Sequence, residues 1–131
     1  MSPSAAAMAI PVASEAVIQA AVLRYLALDR RVAFAHRINV GATKIQGERG
    51  RPDRFVRFAF VGCSDIIGML RGGHFLAVET KRAKAKPTPE QAEFLGAVTD
   101  GGGCAIVARS VDDVVAGLDS FFAKIGAPND Y

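Results

Sequence analysis

The chain has 131 residues, half of them hydrophobic, and a formal net charge of +3. That length suits one domain with one substantial core, and no apolar run approaches membrane-spanning length, so a soluble globular protein is expected and a transmembrane one is not. Cys63 and Cys104 sit in apolar surroundings without metal-ligand spacing, which predicts a reduced, cytoplasmic setting.

Residues 1–13 are rich in Ala, Ser and Pro and lack a basic leader pattern, so they read as a disordered tail. Ser14 reads as an N-cap. From Glu15 the apolar positions Ile18, Ala21, Val22, Tyr25 and Leu26 recur at helical spacing up to about Asp29. Glu15 and Gln19 lie at the edge of that buried stripe. Glu15 has two readings, a favourable charge at a helix start or a carboxylate aimed at a cation.

Val32 to Ile38 alternates as a strand, with Val32, Phe34, His36 and Ile38 expected on one side. His36 reads as a strand residue near a binding surface, since no second His or Cys is spaced to share a metal. Residues 39–53 have the Gly, Pro and basic content of a mobile loop, and 54–61 read as a strand or the far side of that loop.

Ile66 to Leu70 and Phe75 to Thr80 read as two strands joined by Arg71-Gly72-Gly73-His74, where paired glycines supply positive φ. Antiparallel pairing across that turn brings Asp65 and Glu79 side by side. Two carboxylates so close repel unless a cation sits between them, and hard oxygen ligands suit magnesium or manganese. Alternation sets Glu79 and Lys81 on one face, leaving the Thr80 backbone carbonyl as a third ligand. Lys81 then lies where it can steer a water or offset phosphate charge, the outline of metal-assisted phosphodiester hydrolysis.

Thr88-Pro89-Glu90-Gln91 is a helix start with a capping box, followed by Phe94, Leu95 and Val98 facing the core, and Gly101 to Gly103 end it. Gln91 could serve the cap or reach Lys81 and its water. Cys104 to Ala108 is a short apolar strand. Ser110 caps a last helix with Val111, Val114, Val115, Leu118 and Phe121 or Phe122 inward and Asp112, Asp113 and Asp119 as surface acids. The domain is expected over 14–125, with a frayed tail from 126 to 131.

Charge is uneven. From Arg37 to Lys86 there are 11 Lys and Arg against 4 acids, whereas the remainder has 5 against 9. A phosphate polymer fits such a distribution, with Lys44, Arg49, Arg51, Arg54, Arg57, Lys84 and Lys86 as backbone contacts.

The order helix, strand, acid strand, acid-x-lysine strand, helix, strand, with Glu15, Asp65, Glu79, Lys81 and Gln91 in that sequence, resembles the PD-(D/E)xK nuclease superfamily. More narrowly, GCSDIIG, AVETK and TPEQAEFL are similar to the virus-type replication-repair nuclease (VRR-NUC) domain over roughly Ser14 to Phe122. The resemblance implies an α/β, restriction-endonuclease-like αβββαβ core with a mixed sheet flanked by helices. It also implies Mg2+- or Mn2+-dependent cleavage of DNA, by a homodimer acting on branched substrates such as four-way junctions. Asp65 and Glu79 would bind metal, Lys81 would orient water, Glu15 would be an additional acid and Gln91 a supporting residue. Ser64 stands where the superfamily motif has proline, a backbone role only. Two other readings stay open: a binding module of this fold that cleaves nothing or needs a partner, and a nuclease on RNA or linear DNA.

Overall fold

The computed structural model describes residues 13–38 and 41–126; the side chains at 41–43 and 56–58 lie outside that description. The two expected tails fall almost wholly on residues 1–12 and 127–131, outside the described residues. Helix α1 spans Glu15–Leu28, followed by β1 (Val32–Arg37), β2 (Gly41–Ile45), β3 (Arg54–Phe58), β4 (Ile66–Leu70) and β5 (Phe75–Thr80). Helix α2 (Pro89–Asp100), β6 (Cys104–Ala108) and α3 (Val111–Ile125) complete the described chain.

The chain forms an α/β fold around a mixed four-stranded sheet in the order β1-β4-β5-β6. β1, β4 and β5 are antiparallel and β6 runs parallel to β5. A parallel neighbour needs a crossover, which α2 supplies between β5 and β6. With the β2–β3 pair set aside, the core order is helix, three strands, helix, strand, helix.

One sheet face carries Ile66, Leu70, Leu76, Val78, Cys104, Ile106 and Ala108. It packs on Ile18, Val22 and Leu26 of α1 and Val114, Leu118 and Phe122 of α3. These two helices present their apolar residues at three- and four-residue spacing, which is why each buries a single stripe. Helix α2 lies on the other face, over β5 and β6.

The β4–β5 turn follows the expectation: Gly72 and Gly73 have φ of 93° and 87°, and the Gly73 N–H donates to the Leu70 carbonyl at 3.0 Å. Two expectations are corrected. Residues 41–45 are not loop; they pair with 54–58 as a two-stranded ribbon apart from the main sheet. In β1, the register shifts between Val32 and Phe34. This bulge, one extra residue, puts Val32 and Ala35 against the core and turns Phe34 and His36 to the other face.

Ends are tied by Arg31, which is 8 % exposed. Its guanidinium donates to Asp29 at 2.9 Å and to Asp119 of α3 at 2.6 Å. Asp119 is the expected surface acid, its side chain 60 % exposed, and also an ion-pair partner for Arg31. Burial pushes Asp29 up, but hydrogen bonds from Arg31 and Tyr25 outweigh it and hold the carboxyl at about 2.

Candidate active site

Register assembles the acids. Ile66 faces Val78 and Ile67 faces Ala77, so one step further Asp65 stands across from Glu79. Opposite residues of an antiparallel pair share a face, and Glu79 points to the α2 side. Asp65 is held on both flanks. Its carbonyl accepts from the Ile38 N–H at 2.7 Å, and its Oδ2 accepts from the Thr80 N–H at 2.9 Å and the Thr80 hydroxyl at 2.8 Å. Within a strand the N–H and C=O of one residue point to the same side, so the Thr80 carbonyl is directed towards β4 and the acids.

Glu79 is 1 % exposed. Its Oε1 accepts from the Gln91 amide at 3.1 Å and lies 3.8 Å from the Lys81 ammonium. Its Oε2 is buried with no hydrogen-bond partner. Burial, then the neighbouring Asp65 carboxylate, pushes its pKa up to about 8. A buried carboxylate oxygen without a donor is costly, and either a proton or a cation relieves it.

Gln91 closes the expected capping box, and its amide meets Glu79 rather than Lys81. Its side-chain oxygen accepts from the Thr88 N–H at 2.8 Å and its backbone N–H donates to the Thr88 hydroxyl at 3.2 Å, closing the capping box. Its amide nitrogen is left over for Glu79. Glu15, first residue of α1, lies 4.0 Å from the Lys81 ammonium. Lys81 is thus held between Glu79 and Glu15 while the first turns of α1 and α2 converge on the strand end.

Gln19 has a placement the sequence did not reveal: its amide donates to the Thr80 hydroxyl at 3.5 Å, so α1 reaches Asp65 through Thr80. Its position four residues after Glu15 was the available signal. The loop before Asp65 is fixed by Ser64, whose buried hydroxyl donates to the Ile66 carbonyl at 2.9 Å. Gly62, at φ 90°, lets that loop approach α2 so closely that a Cβ would stand 2.5 Å from the Glu90 carbonyl. The Cys63 thiol is pushed up by burial and by Glu79 and Asp65.

A divalent cation fits this donor set. Among the described residues no three His, Cys, Asp or Glu side chains group as ligands. Mg2+ is commonly held by one or two carboxylates, with water and substrate phosphate filling its other positions. Asp65, Glu79 with its unpartnered Oε2, and the Thr80 carbonyl match that pattern.

The basic residues divide into two groups. Lys84 and Lys86 are exposed on the loop after β5. That loop is pinned by Arg109, which donates to the Ala85 carbonyl at 2.6 Å. Lys44 of β2 pairs with Asp53 at 3.2 Å. Arg49, Arg51 and Arg54 are exposed and line a depression beside the ribbon. The Arg57 side chain lies outside the description.

Neither a protein-family model nor a curated protein matches this chain. Among the described residues no helix is long and apolar enough to cross a membrane.

Proposed function

We propose that the chain is a cytoplasmic, divalent-metal-dependent DNA endonuclease of the VRR-NUC type, acting as a homodimer on branched DNA such as four-way junctions. The observation that carries the proposal is the buried, unpartnered Glu79 Oε2 directly across the sheet from Asp65. Asp65, Glu79 and the Thr80 carbonyl are the groups that would hold Mg2+ or Mn2+. Such an ion, when bound, supplies positive charge to polarise a phosphodiester and acidify water.

The chain's own residues do the rest. Thr80 fixes the Asp65 carboxylate through two donated hydrogen bonds, and Gln91 fixes Glu79 through one. The Lys81 ammonium, held by Glu79 and Glu15, orients water towards phosphorus or offsets charge developing on the phosphate oxygens. Lys84, Lys86 and the ribbon arginines supply sequence-independent attraction for phosphates.

The test is a metal titration with four-way junction, flap, linear duplex and RNA substrates. Cleavage of branched DNA in Mg2+ or Mn2+ is expected, and Asp65→Ala or Lys81→Ala should abolish it while largely sparing binding. Binding without product in every metal would leave a non-cleaving module, and preferred cleavage of RNA or linear duplex would replace the substrate.

A further inference from the structure

Among the described residues, none covers the α2-side sheet face over β1 and β4, and that face leads to the acids. In β1 and β4, Phe34 stands opposite Met69 and His36 opposite Ile67, and one row on, Asp65 and Glu79 follow on the same face. Helix α2 packs on β5 and β6, leaving Phe34 49 % exposed and His36 exposed beside half-buried Ile67 and Met69. The Phe34 and His36 rings lie 5.9 Å apart at 32°, a short aromatic ledge created by the β1 bulge.

We infer that this ledge binds an unpaired segment of the nucleic-acid substrate, its bases stacking on Phe34 and His36 while its backbone runs on to the carboxylates. The inference rests on the nucleic-acid substrate proposed above and adds a single-stranded arm to it. Three features favour that occupant. Exposed rings offer π faces that accept any base, as single-strand binding surfaces do. Same-face residues repeat about every 6.6 Å along a strand, roughly twice the 3.4 Å rise per nucleotide of a stacked strand, so a strand unstacked to about that length sets one base over each row. The ledge is also continuous with the candidate active site, and the sequence segment from Arg37 to Lys86, which contains β4 and β5, carries the chain's excess of positive charge.

The experiment measures binding of fluorescein-labelled oligo-dT, alone and annealed to oligo-dA, by anisotropy in EDTA, using the full chain and its Phe34→Ala, Phe34→Leu and Phe34→Tyr variants. Phe34 is exposed, so thermal unfolding of all three should match the parent. Expected is about tenfold weaker single-strand binding for Ala and Leu, affinity kept by Tyr, and unchanged duplex binding. Equal single-strand affinity in all four proteins overturns the inference. So does a loss of self-association in Phe34→Ala at unchanged single-strand affinity, which would make the ledge a contact between copies. Metal-dependent cleavage with Phe34-independent oligo-dT binding removes the ledge and leaves the nuclease. Phe34-dependent binding without cleavage in any metal removes the nuclease and keeps the ledge.

Discussion

Glu79 is the residue at which burial, charge and chemistry meet. Its raised pKa has a defined consequence for stability. At pH values between its ordinary value of 4.5 and about 8, the folded protein retains a proton that the unfolded chain has lost. The contribution of Glu79 to stability is therefore fully present below 4.5 and lost as pH rises through about 8. Each unit of pKa difference is worth about 1.4 kcal/mol, so a loss of a few kcal/mol is expected across that window. Denaturant unfolding at a series of pH values should record it, and Glu79→Gln should flatten the profile. Asp29, held at about 2, has the opposite sign: its contribution is present above 3.8 and lost as pH falls through 2, outside the Glu79 window. Added Mg2+ should restore stability most at the alkaline end, where Glu79 is ready to shed its proton.

At the residue scale the sequence carried much of the site. Asp65 across from Glu79 could be read because a two-glycine turn sets the register of both strands, and Lys81 followed by alternation. Helical spacing set Gln19 one turn from Glu15 on the edge of the buried stripe, but it does not say which strand such a polar residue will meet, so the contact with Thr80 was hidden. Arg31 was hidden for the same reason: its partner Asp119 lies 88 positions away.

At the scale of elements, α2 joins stability to the site through one side chain. Thr88→Ala should cost about 1 kcal/mol through the lost cap and leave cation binding unchanged, because the Gln91 amide still reaches Glu79. Gln91→Glu keeps an oxygen for the Thr88 N–H but sets a carboxylate against Glu79, so thermal stability of the metal-free protein should fall above about pH 8, where Glu79 ionises, and recover with added Mn2+. Equal behaviour of the two variants would mean that Gln91 serves the cap alone. The helices were legible from their caps and apolar stripes. The ribbon was not, because its first strand, Gly-Ala-Thr-Lys-Ile, has too little hydrophobic alternation to separate it from loop. The β1 bulge was equally invisible; it moves Phe34 to the open face without any mark in the amino-acid pattern.

For the whole molecule, the Asp29–Arg31–Asp119 tie fastens the α1–β1 corner to α3, while the guanidinium lies 5.7 Å from the centre of the Phe122 ring. Arg31→Ala leaves the buried Asp29 carboxylate without its counter-cation, with only the Tyr25 hydroxyl and the backbone N–H of residue 31 still donating to it, and should destabilise the fold by about 3 kcal/mol, measured by denaturant unfolding. Once folded, the protein should keep the residue contacts of the distant site, so any loss of cleavage should recover at lower temperature. This architecture places two helix starts, a strand end and a tightly packed loop around a pair of acids.

The most direct measurement is a Mn2+ titration of metal-stripped protein at neutral pH, followed by electron paramagnetic resonance, comparing the parent with Asp65→Asn and Glu79→Gln. The account predicts a bound ion in the parent and affinity weakened by about tenfold or more in each variant. The same binding curve in all three proteins would contradict it.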